Sequence, residues 1–179
     1  AKACRHGDPD ACLAAGEIYR DGSGVSADRT IALELFRVGC QSRAGANCAS
    51  LGRMLQKGRG TSKNLDEAVD AYSRGCHADS PRACTLLGRL LAETDSSRRD
   101  PRRARKLLER ACEEDYAPGC AALARLYRRG DGAQRDMTRA VELLDRACEH
   151  NFLPACHEIG VIYRDGEGVE SDIRRSRKH

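Results

Sequence analysis

Apolar side chains recur every three to four residues in two successive stretches near the start of the chain. In the first stretch Ala11, Ala15 and Ile18 share one helical face, and Gly22 follows its end. Ile31 then begins a second stretch with the same spacing. Because this spacing is the helical period, and because glycine readily adopts the backbone conformation of a helix end, the pattern predicts two amphipathic helices joined by a turn, an αα-hairpin.

The hairpin pattern returns along the chain with a period of 36 residues. Self-similarity at this length is typical of stacked arrays in which no unit buries its apolar face alone. The sequence therefore predicts an all-α fold, a right-handed α-solenoid of αα-hairpins. First helices are expected near 10–21, 46–57, 82–93, 118–129 and 154–165, and second helices near 29–40, 65–76, 101–112 and 137–148. A fifth second helix is expected from Asp172.

The repeat boundaries predict a single solenoid domain over 1–179. Its four full repeats are 11–46, 47–82, 83–118 and 119–154, with partial repeats at 1–10 and 155–179. Each second helix is preceded by a good N-cap residue. These caps are Asp28, Asn64, Asp100 and Asp136. The third repeat has Thr94, Asp95 and Ser96 where the others have a glycine turn, so its loop is expected to differ.

The composition is typical of a folded globular protein. Hydrophobic residues make up 40% and charged residues 32%, and the net charge is only +4. No apolar run reaches the roughly 18 residues that a membrane span needs, so no membrane insertion is expected. No signal peptide is visible at Ala1, and both ends are expected to be the boundaries of a fragment.

Ten cysteines fall on one grid, as five pairs whose members stand eight residues apart. The pairs are Cys4 with Cys12, Cys40 with Cys48, Cys76 with Cys84, Cys112 with Cys120, and Cys148 with Cys156. Each pair spans the junction between a second helix and the next first helix, where two Cα atoms can approach disulfide distance. Disulfides are the favoured interpretation, with buried thiols and metal or redox chemistry as alternatives. Zinc favours C-x2-C spacing, which is absent, so neither a metal nor a cofactor is expected.

The first hairpin resembles the SEL-1-like repeat, a relative of the tetratricopeptide repeat. The matching residues are Ala11, Gly16, Tyr19, Gly22, Gly24, Val25, Asp28, Ala32 and Phe36. With C-x7-C at every junction, the chain resembles the disulfide-bridged subset, the cysteine-rich proteins of Helicobacter. The resemblance implies a bacterial scaffold that mediates protein–protein contacts. Disulfides at this density indicate an oxidising compartment, so a periplasmic or secreted location is expected.

Arginines recur at two positions of the first helices. They are Arg53, Arg89 and Arg125 at one position and Arg128 and Arg164 at the other. In helical repeats of this kind the first helices usually line the concave face, with neighbours about 8–10 Å apart. We expect a ladder of guanidinium groups that binds an acidic or extended peptide of a partner protein, or its C-terminal carboxylate. The alternative is a solvated polar face with ion-pair partners along each helix.

Catalysis is the second class of function to weigh. The resemblance implies, for some family members, a weak penicillin-binding or β-lactamase-type hydrolase. A serine β-lactamase needs S-x-x-K, but no serine here has lysine three positions later, and the five histidines share no repeat position. We therefore expect no enzymatic activity. A purely structural scaffold or an assembly factor in an oxidising mitochondrial space is a third option.

A second group of basic residues surrounds the start of the third second helix. Its members are Arg98, Arg99, Arg102, Arg103, Arg105 and Lys106. No aromatic side chains alternate with these charges, and the net charge of the chain is low, so no nucleic acid is expected as a partner. The group is interpreted as a solvated turn, and the sequence leaves the oligomeric state open.

Overall fold

The protein is represented by a computed structural model that describes residues 2–93 and 98–168. Over these ranges the chain forms ten α-helices and no strands. The helices are α1 (Lys2–Arg5), α2 (Pro9–Asp21), α3 (Arg29–Gln41), α4 (Gly45–Lys57), α5 (Leu65–His77), α6 (Pro81–Ala92), α7 (Pro101–Glu113), α8 (Ala117–Arg129), α9 (Met137–Glu149) and α10 (Leu153–Asp165).

The predicted all-α, disulfide-linked helical repeat fold is confirmed. Each observed helix from α2 to α10 begins and ends within one residue of its predicted bounds. First helices begin slightly earlier than predicted, and proline stands in the first turn of several of them, where its missing N–H costs nothing. The predicted turn at 94–96 and the helix expected from Asp172 lie outside the described residues.

Side-chain caps and left-handed glycines set the helix boundaries. Asp28 accepts hydrogen bonds from the backbone N–H groups of Thr30 and Ile31, both at 3.0 Å, and so begins α3. Asn64, Asp100 and Asp136 cap the equivalent helices in the same way. α2, α4, α8 and α10 each end at a glycine with φ between 63° and 75°. Glycine is favoured there because a Cβ strains the left-handed backbone.

The core of each hairpin places a large side chain of the second helix over a small residue of the first. A Cβ added at Gly16 would lie 2.5 Å from the Phe36 ring, and one at Gly52 would lie 2.6 Å from the Tyr72 ring. Phe36 and Tyr72 are fully buried as a result. An aromatic ring thus covers each of these glycines.

The chain divides into two compact units, Ala1–Leu87 and Gly88–His179. In the first unit α2 packs on α3, α3 on α4, and α4 on α5. In the second unit α7 packs on α8, α8 on α9, and α9 on α10. The single-domain boundaries expected from the sequence remain a prediction.

Candidate interaction site on the first helices

Disulfides close the junctions between consecutive repeats, with Cα–Cα distances of 4.5–4.8 Å. The five bonds join Cys4 to Cys12, Cys40 to Cys48, Cys76 to Cys84, Cys112 to Cys120, and Cys148 to Cys156. The pairing is the one predicted from the spacing, and no free cysteine remains. Eight of the ten cysteines are 0–3% exposed, so the sulfurs belong to the core as well as to the cross-links. These bonds fix the start of each first helix against the end of the preceding second helix.

Every disulfide ring also contains one residue with a left-handed backbone. These residues are Gly7, Arg43, Asp79, Asp115 and Asn151, again spaced by 36 positions. Only the first is glycine, although a side chain at positive φ is strained. Gly, Asp and Asn, the residues that adopt this conformation most readily, hold four of the five positions, and Arg43 is the exception.

Among the predicted arginines, Arg53 is the one that lies in the first unit. It is half-buried on α4, and no carboxylate forms an ion pair with it in the described part of the chain. Burial, reinforced by the nearby charges of Arg82 and Arg20, lowers the pKa of Arg53. Arg53 thus stands among other cations, although its charge also contributes to lowering the pKa of Asp21.

In the second unit, Arg89 and Arg125 line one cleft. Its volume is about 170 Å³. The other lining residues are Ala92, Glu93, Leu108, Ala122, Leu126 and Arg129. Leu108 and Leu126 are buried beneath the opening, whereas Arg89 and Arg129 are exposed at it. The cleft thus combines an apolar floor with three guanidinium groups and one carboxylate at its edge.

The remaining predicted arginines of this unit have internal partners. Glu158 on α10 lies 2.9 Å from the Arg128 guanidinium and 3.5 Å from that of Arg125. Arg164 pairs with the neighbouring Asp165 at 2.7 Å. These three arginines have acidic partners, but none of the partners is at the i,i+3 or i,i+4 position that the solvated alternative expects. The choice between the ladder and the solvated face therefore remains a prediction.

Sequence reasoning missed three residues that shape this surface. Glu158 forms ion pairs with two arginines, Arg129 adds a charge to the cleft, and Arg82 adds one beside Arg53. The repeat alignment contained a signal for the first, because Ala14, Ser50, Leu86 and Ala122 occupy the same position in other repeats. A carboxylate that appears once at an otherwise uncharged position is a candidate partner for the arginines around it.

Other classes of site are not apparent in the part of the chain that is described. There, no group of three or more His, Cys, Asp or Glu residues is arranged to hold a metal ion. None of the described helices is long and apolar enough to cross a membrane. In the basic group at the start of α7, Arg99 pairs with Asp131 at 2.6 Å and Arg105 contacts Glu109, so part of that charge is neutralised internally.

Solved structures with the same fold include several repeat proteins. A Sel1 repeat protein from Oxalobacter formigenes is 25% identical and covers 99% of this chain and 71% of its own, with a TM-score of 0.89. A protective antigen of uropathogenic Escherichia coli with an SLR fold is 21% identical over 99% of this chain and 38% of its own, with a TM-score of 0.80. This chain therefore spans less than half of that antigen.

A solved structure of a cysteine-rich Helicobacter protein is also similar to this chain. Helicobacter pylori cysteine rich protein B is 22% identical and covers 75% of this chain and 98% of its own, with a TM-score of 0.56. No curated protein sequence matches the chain. The Sel1 repeat model, however, matches residues 9–42, 48–79, 81–116, 117–152 and 153–179. Since these five matches span nearly the whole chain, the protein belongs to the Sel1 repeat family.

Proposed function

We propose that this protein is a non-enzymatic scaffold that binds an acidic, extended segment of a partner protein along its first helices. Sel1 repeat proteins are generally protein-interaction scaffolds, which supports the broad class. The contact residues we assign are Arg53, Arg89, Arg125, Arg128 and Arg164, the set expected on the concave face. Their planar guanidinium groups suit carboxylates because two parallel hydrogen bonds can form.

The observation that supports the proposal best is the cleft at Arg89, Arg125 and Arg129. Leu108 and Leu126 form its base, and its edge carries three guanidinium groups together with the carboxylate of Glu93. One of the three, that of Arg125, is also paired with Glu158. A segment in which acidic residues alternate with apolar ones satisfies both features.

Glu158 acts in the proposal as an internal competitor. It occupies Arg125 and Arg128 in the free protein, so an acidic partner must displace it or bind beside it. Glu158→Gln should therefore strengthen binding of acidic peptides several-fold. Removing a surface acid elsewhere should not. Glu142→Gln on α9 is the matched control, because Glu142 pairs with the exposed Arg139 on its own helix.

The direct test is a peptide array of acidic-apolar, neutral and basic sequences, followed by titration of the best binder by fluorescence anisotropy. Arg89→Glu with Arg125→Glu should abolish binding of the acidic peptides. The control, Arg102→Glu with Arg103→Glu, makes the same charge change on the exposed start of α7. Unchanged affinity in the first double variant, or equal loss in both, would reject this site.

The cross-links support an oxidising location, periplasmic or extracellular, because cytosolic thiols are kept reduced. The hydrolase alternative is tested on the same preparation with nitrocefin. We expect no hydrolysis above that of a heat-denatured control. A turnover that survived further purification would assign the protein to the enzymatic alternative instead.

A further inference from the structure

A second cavity lies away from the first-helix arginines, at the Cys40–Cys48 junction of the first unit. Its volume is about 420 Å³. The lining residues are Gln41, Arg43, Arg74, His77 and Ala78, contributed by the ends of α3 and α5 and the residues that follow them. The lining contains two arginines and a histidine but no carboxylate.

The equivalent junction at Cys112–Cys120 shows what these positions hold elsewhere in the same chain. Asp115 stands at the repeat position of Arg43, and Arg146 stands at that of Arg74. The Arg146 guanidinium donates hydrogen bonds of 2.6 Å from Nη2 and 3.1 Å from Nε to Asp115 Oδ1. His150 Nε2 lies 3.4 Å from the same oxygen. Here a carboxylate of the chain occupies the space between the basic groups.

At the Cys40–Cys48 junction that carboxylate is replaced by a cation. Two neighbouring positions also lose a negative charge, since Gln41 stands at the repeat position of Glu113 and His77 stands at that of Glu149. Four of the five lining positions thus differ, three of them by loss of an acid. Only the arginine of the second helix is common to both junctions.

Arg74 is held in position but is only weakly neutralised. Its Nη2 donates to the carbonyl oxygen of Cys40 at 3.2 Å, and its nearest carboxylate oxygen, on Asp70, lies 4.0 Å from Nη1. Arg43 forms no ion pair among the described residues, and it keeps a left-handed backbone with φ of 58°. The junction therefore places two positive groups around an open space where the sister junction has a carboxylate.

We propose that this cavity is an oxyanion-binding site, in which a carboxylate or phosphate group of a small ligand takes the place that Asp115 occupies in the sister junction. The guanidinium groups of Arg43 and Arg74 would donate the charged hydrogen bonds, and His77 would border the ligand. The space is larger than one carboxylate, and four of its five lining side chains are exposed and polar or charged. The ligand class is therefore a small organic acid or phosphate ester.

The test uses two probes, inorganic phosphate and citrate, titrated into the oxidised protein at constant ionic strength set with sodium chloride. Binding is followed by NMR of backbone amides and of the histidine rings. We expect saturable shifts at Arg43, Arg74 and His77 with at least one probe. Saturation with citrate alone would identify carboxylate as the preferred chemistry, and saturation with phosphate alone would identify phosphate.

The decisive variant is Arg43→Asp, which rebuilds the internal acid of the sister junction. It should weaken binding of the effective probe about tenfold or more, since charged hydrogen bonds are lost and Arg74 gains an internal partner. Arg74→Gln should weaken binding similarly and tests the site without altering the left-handed residue. Arg135→Asp, the same charge change on the exposed turn after α8, is the matched control and should leave affinity unchanged.

Three results would overturn the proposal. The first is shifts that rise linearly with probe concentration and never saturate. The second is equal weakening by Arg43→Asp and Arg135→Asp, which would indicate a general charge effect. The third is full affinity in Arg74→Gln. Because these residues are distinct from the arginines of the first helices, the outcome of this test does not affect the acidic-peptide proposal.

Discussion

At the scale of single residues, the first two hairpins each depend on a missing side chain in the first helix. Gly52 leaves room for the Tyr72 ring, whose hydroxyl reaches Gln56 at 2.8 Å. The same pairing occurs between Gly16 and Phe36. In the fourth repeat the equivalent positions hold Ala124 and Leu144, both buried. The third repeat packs Gly88 against Leu108, so a leucine in the second helix occurs beside glycine in one repeat and beside alanine in another.

The close packing of Gly52 against the Tyr72 ring predicts that a substitution that is normally stabilising will be destabilising here. Glycine to alanine inside a helix normally stabilises it by about 1 kcal/mol. Gly52→Ala should instead lower the free energy of unfolding by roughly 1–3 kcal/mol, because its Cβ would overlap the Tyr72 ring. The measurement is urea unfolding followed by circular dichroism.

A double variant checks the cause of that loss. Gly52→Ala with Tyr72→Leu reproduces the alanine–leucine pair of the fourth repeat. Its loss should be smaller than the sum of the two single losses, by about 0.5–3 kcal/mol. Strict additivity would show that the ring does not set the requirement for glycine.

At the scale of elements, the two kinds of helix begin differently. Second helices have side-chain caps such as Asp28, whereas α4, α8 and α10 have none. Their preceding residues are Ala44, Tyr116 and Phe152. A disulfide in the first turn of each of these helices holds its start in place. The cross-link therefore acts where the local sequence contributes least.

One first helix offers a template for improving this start. The hydroxyl of Ser80 accepts a hydrogen bond of 3.3 Å from the backbone N–H of Ala83 at the start of α6. Ala44→Ser places the same group before α4 and should raise the free energy of unfolding by about 0.5–1 kcal/mol. Ala44→Val, which cannot accept a hydrogen bond, is the control. No gain over that control in urea unfolding would contradict the prediction.

The cross-links themselves can be tested at the same scale. Replacing Cys40 and Cys48 by serine opens a nine-residue ring and should lower the free energy of unfolding by roughly 2–3 kcal/mol. The measurement is urea unfolding without reductant, with the other four bonds intact by mass. A loss below about 1 kcal/mol would indicate that packing around the junction suffices without the bond.

At the scale of the whole molecule, exposed arginine–aspartate pairs contribute to the response of stability to acid. Hydrogen bonds from Arg20, Arg146 and Arg164 lower the pKa values of Asp21, Asp115 and Asp165, respectively. A carboxylate whose pKa is lower in the folded state stabilises that state above its unfolded pKa. The stabilisation is lost as the pH falls from about 4 towards the lowered folded value.

We predict that the protein loses stability below about pH 4 and that protonation of Asp115 contributes to this loss. Asp115→Asn should be less stable than the unmodified protein at neutral pH, and the difference should vanish in acid. Glu149→Gln is the control, since Glu149 forms no ion pair among the described residues. The measurement is the urea midpoint from neutral pH to pH 3. A difference for Asp115→Asn that persists at the lowest pH would contradict the assignment.

The sequence by itself determined the repeat, the helices and the partners of the cysteines. The signals that predict them are local and extend over one or two helices. They are the period of 36 residues, the caps at Asp28 and its equivalents, and the C-x7-C spacing. Helix bounds followed to within one residue because local hydrogen bonds and apolar periodicity decide them. Nothing about distant parts of the chain was needed.

Only the tertiary structure decided which arginines have partners. Glu158 reaches Arg125 and Arg128 from another helix, and Asp115 reaches Arg146 across 31 positions. Arg43 and Arg74 face a cavity whose lining holds no carboxylate. Repeat positions show where a side chain stands on its own helix. Whether its charge is neutralised depends on the residues that the neighbouring helix brings within a few ångströms, and these change from repeat to repeat.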